Sequence, residues 1–482
     1  MRVVFTSLFK GGTGGGMGRV AHELARQFAA RHDAVLICPA ESTGLYEDAG
    51  GLRVFGIQSA GEEEFWMPAL SGGTVSRIFD FLDAFSPDVV HAHEPALIGL
   101  VGQIWAKMNL VPFVHTSHVL PARALDFGAA DALDVKLLRS SLSASVARQV
   151  LIDFYEHCDA IIALNRPGLD ALRQFGYRGQ VFVIPNGREL RRYGACENAG
   201  VASPEKILTF VGYLTERKNQ AYLLEVLGRL PPRYRLQLVG KSLNPDYGRQ
   251  LREFCDEHGL DNVVFTGQVA HEEIPSLLEN THVFVSASKM EVQSLVVIEA
   301  LASGTPVVGL SNETIDELVD ADVGCWLPHD ADPETFANCV ERICALSQLE
   351  YDQMCANARG RVEELDWSNV VALILEAYNS LLERRPQVAA HRAGASLAGL
   401  VSFLPPGETR QILADKVSEL ERAIEETSEL RLVSTLPEKM KAVRRVPQST
   451  WLLAGLTILS SLVGYLFMKS VASISRRKKS GE

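Results

Sequence analysis

The stretch SASKMEVQSLVVIEALASGTPVVGL, Ser286 to Leu310, decides the fold. The apolar run His282-Val283-Phe284-Val285 just before it reads as a buried strand. Leu295 to Ile298 and then Ala300 to Ala302 continue as one apolar helix. Gly304-Thr305-Pro306 ends that helix, because glycine permits left-handed backbone and proline cannot continue it. Val307 to Leu310 is a second strand. Strand, helix and strand in this order imply a parallel sheet. The loop at the carboxyl end of such a strand is where open α/β sheets bind ligands. The helix points its free N–H groups, near Ser294 and Leu295, at whatever sits there, which favours an anion such as a diphosphate. Glu291 in the loop and Glu299 in the helix have seven residues between them. Each can accept hydrogen bonds from hydroxyl groups.

Outward from this unit the same alternation recurs. Arg2 to Phe9, Ala34 to Cys38, Leu52 to Ile57, Asp88 to His93, Phe113 to His115, Ala160 to Leu164 and Val181 to Ile184 read as strands. Ile207 to Val211, Leu236 to Gly240 and Val263 to Phe265 continue the series in a second half. Glycines at 11, 12, 14, 15, 16 and 18 follow the first strand and precede a helix over Arg19 to Arg31. Such a loop lets backbone approach a ligand closely, and a flexible turn has the same composition. Strand ends also carry His91, His93, His115 and His118. A single histidine is more often a half-buried imidazole than a ligand, and none of these has metal-site spacing. Gly212 is followed by Arg217 and Lys218, cations able to neutralise a diphosphate. The triplets Asp320/Asp322 and Asp330/Asp332 read as turn residues, and no metal site is expected.

At 482 residues, 47% hydrophobic and 22% charged, the chain is long enough for more than one packed domain. A formal net charge of −12 argues against nucleic acid as the main partner. The eight cysteines form no CxxC pair, so reduced thiols in a cytosolic compartment are expected. Ala129 to Glu156 reads as helical. Trp367 to Leu382 reads as a helix with Val370, Leu373, Ala377 and Leu381 on one face. Trp451 to Met468 is 18 residues without a charge, roughly 27 Å as a helix, close to the hydrocarbon thickness of a bilayer. Trp451 and Tyr465 suit its interfaces, and basic residues flank it on both sides.

Glu291, Glu299, Ala300 and Ser303-Gly304-Thr305-Pro306-Val307 together resemble the donor-sugar signature of the family 4 retaining glycosyltransferases of GT-B fold, including their lipid-directed members. Gly15-Gly16-Met17-Gly18-Arg19 resembles that family's first loop. His115-Thr116-Ser117-His118 resembles its acceptor motif, Pro185-Asn186-Gly187 the turn before its linker, and Lys218 a lysine after its phosphate-binding glycine. Tyr213, Val292 and Ala287 depart from it, standing where arginine, glycine and proline are usual.

The resemblance covers residues 1 to 385 and implies an α/β architecture of two Rossmann-like, doubly wound domains facing a cleft. The implied boundaries are 1–196 for the acceptor domain, 197–368 for the donor domain and 369–390 for a helix crossing back. A helical, basic juxtamembrane extension (391–448), a transmembrane anchor (449–469) and a basic tail (470–482) complete the expected organisation. The implied activity is a hexosyltransferase using a nucleotide-diphosphate sugar as co-substrate, with no cofactor. Its acceptor would be a membrane lipid or glycolipid, or alternatively a soluble or polymer-linked glycan. A silent scaffold of the same fold is the non-enzymatic alternative. Implied roles are catalytic for Glu291, His118 and Lys218, and donor-binding for Gly15, Gly16, Arg217, Lys218, Glu291, Ser294, Leu295 and Glu299, the last toward a ribose. His115 and His118 are implied for the acceptor. The expected location is a membrane, by a single pass near the carboxyl terminus, with the catalytic domains in the cytoplasm.

Overall fold

The computed structural model describes residues 1–11, 13, 15–62, 65–68, 72–119, 151–193 and 203–384. They fall into two compact units. One holds the described residues up to Ile184 and those from Val371 onward; the other is Pro185–Val370. The chain passes from the first unit to the second between Ile184 and Pro185.

In the first unit the described strands are β1 (Arg2–Thr6), β2 (Asp33–Ala40), β3 (Gly44–Glu47), β4 (Arg53–Glu62), β5 (Phe65–Pro68), β6 (Val89–Ala92), β7 (Phe113–Ser117), β8 (Ala160–Ala163) and β9 (Gln180–Val183). The sheet order is β3-β4-β2-β1-β6-β7-β8-β9. All pairings are parallel except those of β3 and β5 with β4. The sequence reading lacks β3 and β5, which are short antiparallel additions beside β4. The order runs one way from β1 and the other way from β6, so the switch point lies between these strands. Helices α1 (Gly15–Ala29), α2 (Gly72–Phe85), α3 (Leu97–Met108) and α4 (Arg166–Phe175) connect strands. Of the glycines expected in an open loop, Gly15, Gly16 and Gly18 lie in the first turn of α1 instead. Gly15 opens it at φ +58°, and a Cβ at Gly18 would lie 2.2 Å from the Thr13 carbonyl oxygen. Helix α4 is delimited by sequence: Asn165 accepts from the Gly168 N–H, and Gly176 ends it in left-handed conformation.

The second unit has the sheet order β12-β11-β10-β13-β14-β15, all parallel. Its strands are β10 (Lys206–Val211), β11 (Tyr234–Val239), β12 (Val263–Gly267), β13 (Val283–Ser286), β14 (Val307–Leu310) and β15 (Gly324–Leu327). Its helices are α5 (Gln220–Leu227), α6 (Pro245–His258), α7 (Ile274–Glu279), α8 (Leu295–Ala302), α9 (Ile315–Leu318), α10 (Pro333–Cys344), α11 (Gln348–Arg361) and α12 (Trp367–Glu383), which begins here. The switch point lies between β10 and β13. Val283, Phe284, Val285, Val307 and Val308 are buried, at about 1.5–3 kcal/mol each. Helix α8 is apolar nearly all round because it is covered on almost every side, and Gly304 at φ +76° ends it.

On α12, Val370, Ala377 and Leu381 are buried, but Leu373 is 42% exposed and Ile374 takes the inward position. Spacing by four from Val370 puts Ile374, not Leu373, on that face. The thiols of Cys325, on β15, and Cys339, on α10, are joined, Cα atoms 6.3 Å apart, where reduced thiols were expected. Strand and helix crossing brings together residues whose spacing signals no pair. The described part of the helix expected at 129–156 is 151–156. Among the described residues no helix is long and apolar enough to cross a membrane. The extension at 391–448, the anchor at 449–469 and the tail at 470–482 lie outside the described residues.

Candidate active site

The loops after β10 and β13 meet at the switch point of the second unit and bring the expected charges together. Lys218 forms a salt bridge with Glu291, and Arg217 lies 3.8 Å from the same carboxylate. Arg217 also donates to the Met290 carbonyl at 2.9 Å, and its own carbonyl accepts from the Lys289 N–H at 2.9 Å. Burial pushes the Glu291 carboxyl up, but Lys218, Arg217 and the Ser288 hydroxyl together outweigh this and hold it below its ordinary value. Glu291 is an anion held between cations. The loop is braced from behind: Asn312 donates to the Ser288 carbonyl at 3.1 Å and accepts from the Thr314 and Ile315 N–H groups.

Ser294 precedes α8, but its N–H donates to the Thr314 hydroxyl at 2.7 Å, so the helix-terminus donors begin at Leu295 rather than Ser294. Glu299, expected toward a ribose, lies in α8. It is 0% exposed, with the Arg188 Nε and the His271 Nε2 each 3.1 Å from its Oε1. Arg188 is itself buried and fastened by its backbone, its N–H to Leu365 at 2.8 Å and its carbonyl to Trp367 at 3.1 Å. The turn before it is equally fixed. Asn186 donates its N–H to Gln293 at 2.7 Å, and a Cβ on Gly187 would lie 2.1 Å from the Trp367 ring. The Pro-Asn-Gly-Arg turn is thereby bound to two residues of the donor stretch, Gln293 and Glu299. The signal in the sequence was an arginine directly after a turn, with glutamine and glutamate set among apolar residues.

In the first unit the switch point gathers His91, His93, His115 and His118. The His93 Nδ1 and His118 Nε2 are 2.9 Å apart, and the two rings stack. His91 stacks on His93 and bonds the Tyr378 hydroxyl (2.6 Å) and the Thr116 hydroxyl (2.7 Å). His115 lies against Phe154 and Tyr155, with Nδ1 3.1 Å from the Ala92 carbonyl oxygen. Burial lowers all four imidazoles, His115 and His118 to about 3. At neutral pH they act as uncharged hydrogen-bonding groups. Tyr378 and Glu94 were not singled out by the sequence reading. Glu94 accepts from the Leu8 N–H at 2.9 Å and the Ser7 hydroxyl at 3.3 Å, pinning the start of the glycine-rich segment. Burial raises its carboxyl to about 8 against these two hydrogen bonds. Gly15 and Gly16 lie in the first turn of α1, which follows that segment.

The imidazoles predict acid lability. Unfolded histidines bind protons below about pH 6.5, whereas folded His115 and His118 do so only near 3. Their contribution is present above the unfolded value and is lost as pH falls between the two. Glu94 has the opposite sign, losing its contribution as pH rises through about 8, but it is one group against four. The melting temperature of the full chain is expected to fall from pH 7 to pH 5, and by less in His118→Asn. A flat profile would mean that these rings are not buried neutral.

Asp320 accepts from Arg361 at 2.8 Å and from the Asp322 N–H at 3.0 Å, and Asp332 caps α10 through Thr335. Among the described residues no cluster of three or more histidine, cysteine or carboxylate side chains is arranged to hold a metal ion.

Residues 14–192 match the family model "Glycosyltransferase Family 4", and residues 197–361 match "Glycosyl transferases group 1". The α-monoglucosyldiacylglycerol synthase of Streptococcus pneumoniae is 26% identical over 258 residues, 51% of this chain and only 56% of that protein. A D-inositol 3-phosphate glycosyltransferase of Streptomyces griseus is 28% identical over 432 residues, 81% of this chain and 90% of that protein. Among solved structures, sucrose-phosphate synthase from Thermosynechococcus elongatus has a TM-score of 0.66 at 21% identity, covering 80% of this chain and 99% of that one. An Anabaena protein solved with UDP has a TM-score of 0.62 at 20% identity, covering 79% of this chain and 100% of that one. The structural likenesses support a two-domain, GT-B-like α/β fold with parallel sheets.

Proposed function

We propose that this chain, which is a glycosyltransferase carrying the two matched domains, moves a hexose from a nucleotide-diphosphate sugar to a lipid hydroxyl with retention at the anomeric carbon. The observation that carries the donor side is the Lys218–Glu291 pair with Arg217 beside it, at the switch point of the second unit. Lys218 and Arg217 neutralise the diphosphate as it departs, and the amides that open α8 at Leu295 add their dipole. Arg217 supplies the cation that Tyr213 omits. Glu291 accepts hydrogen bonds from the sugar's hydroxyl groups. No side chain acts as a covalent nucleophile: the acceptor oxygen attacks from the face of the departing phosphate, which takes its proton. UDP in the Anabaena complexes supports a uridine donor as the first to test.

On the acceptor side, His118 and His115 orient the attacking hydroxyl. The lipid reading is favoured by the diacylglycerol-directed relative and by the uncharged run at 451–468. That run is proposed as a single membrane anchor holding the catalytic domains in the cytoplasm. The inositol phosphate relative favours a soluble acceptor as the second reading. Labelled UDP-glucose and GDP-mannose, incubated with the full chain and total lipid extract, separate the two readings. Label is expected in the organic phase; label found only on water-soluble acceptors would reject the lipid reading. No turnover of any nucleotide sugar would reject the donor reading.

A further inference from the structure

We propose that Trp66, with Lys10 and Glu41 beside it, is a subsite of the first unit that holds a polyhydroxylated ring, a sugar or a cyclitol, carried by the acceptor. The inference rests on the transferase reading above and narrows its acceptor from a hydroxyl in general to one on or next to such a ring. Strand β4 pairs with β2 as far as Gln58, and its last four residues, Ser59 to Glu62, run past that point. There β4 pairs with β5, with Gly61 opposite Trp66. At about 3.3 Å per residue the hairpin extends roughly 13 Å beyond the carboxyl edge of the sheet, the edge at which parallel sheets bind ligands. It also leans sideways. Lys10, in the loop after β1, sets its Nζ 3.9 Å from the centre of the Trp66 ring, although β2 separates β1 from β4 in the sheet. The indole therefore arches over the end of β2 to meet the loop after β1.

The chemistry of the spot fits such a ring. Trp66 is half-buried, and Gly61 across from it brings no side chain against the indole. The ammonium over the ring fixes its plane. A sugar or cyclitol has an apolar C–H face, which lies flat on an aromatic face, and hydroxyl groups around its rim. The rim calls for donors and acceptors together. Lys10 Nζ is 3.1 Å from Oε1 of Glu41, the residue directly after β2, so both are present. A cation without a carboxylate would suit a phosphate; one already paired with a carboxylate suits hydroxyl groups better. The loop is held in place, with the Thr13 N–H and hydroxyl donating to the Lys10 carbonyl at 3.0 and 2.8 Å. Earlier in the same loop, Glu94 holds the Leu8 N–H, which ties it to the end of β6, where His93 meets His118. Strand β7, which leads to His118, is two strand positions from β1, on the order of 10 Å. A ring on Trp66, or the sugar linked to it, directs a hydroxyl across that span to the imidazoles. A bare glycerol hydroxyl leaves the indole uncovered.

The test measures transfer from labelled UDP-glucose and GDP-mannose by the full chain to acceptors with and without a ring. Diacylglycerol in micelles is compared with the same lipid carrying one glucose, galactose or mannose. Glycerol is compared with the methyl hexosides and myo-inositol. Wild type is expected to show a kcat/KM about tenfold higher on one ring-bearing acceptor than on its ringless counterpart, the scale of one stacked aromatic contact. Trp66→Leu keeps an apolar side chain on β5 but no flat face. Its ratio is expected to fall close to one through a raised acceptor KM, with the donor KM moved by about twofold or less. Trp66→Phe is expected to keep most of the preference. Lys10→Met, which keeps the stem over the ring and removes the ammonium, is expected to lower the ratio about threefold. A thermal melt of each variant separates loss of the contact from loss of the fold. Preference among the lipids or among the soluble acceptors supports the subsite and shows which form carries the ring. Equal use of ringless acceptors by wild type, or an undiminished preference in Trp66→Leu, would overturn the proposal while leaving the donor reading intact. Donor hydrolysis with no transfer to any ring-bearing acceptor would do the same. No turnover of either donor would overturn both.

Discussion

Glu291→Gln is expected to lower kcat/KM by about 10²–10³-fold, the scale on which a preorganised polar contact to a transition state acts. The substitution keeps the shape of the side chain and an oxygen able to accept from Lys218. What it removes is the negative charge that sets the positions of Lys218 and Arg217. The two cations would then compete for the sugar and phosphate oxygens without a fixed partner between them. Because Glu291 sits on a loop braced by Asn312 and Thr314, the fold should survive. Steady-state kinetics with saturating donor, alongside a thermal melt, checks both halves. Undiminished turnover with an unchanged melt would remove Glu291 from the donor site.

The second large effect concerns stability. Arg188→Leu leaves Glu299 charged, fully enclosed and short of its cation. Breaking a buried pair from one side costs about 3–5 kcal/mol. For a unit of this size that corresponds to a melting-temperature drop of roughly 6–20 °C. The double variant Arg188→Leu with Glu299→Leu removes both charges together and is expected to recover most of the loss, because two apolar side chains replace a pair that was costly to bury. The two single variants and the double, measured as a cycle, give the coupling directly. Single variants that melt within a degree of wild type would show that the pair is not closed in solution.

The strands and the donor helix were readable because their information is local. Apolar runs of strand length end at glycine or proline, and Gly304-Thr305-Pro306 marks the end of α8 without reference to any other part of the chain. Glu291, Arg217 and Lys218 were readable for a related reason. Each lies in a loop at the end of a strand whose apolar run is unmistakable, and in a parallel sheet such loops share one edge. Leu373 was misread because a helical face is about 100° wide and two adjacent apolar residues compete for it; packing against the unit chose Ile374. Strands β3 and β5 escaped because they are short and pair antiparallel to β4, a neighbour that supplies their hydrogen bonds.

By itself the sequence determined two α/β halves, the order of their elements and the carboxylate and cations at the switch point of the second half, since periodicity and chain breaks act over a few residues. Only the tertiary structure decided that Glu299 is closed in by Arg188 and His271, that Ser294 gives its N–H to Thr314, that Cys325 meets Cys339, and that Glu94 holds the start of the glycine-rich segment. Those partners are far apart along the chain, from 14 residues for the cysteines to 111 for Arg188 and Glu299 (299 − 188). Burial and pairing at such distances are set by which strands become neighbours, and no local pattern of residue types encodes that.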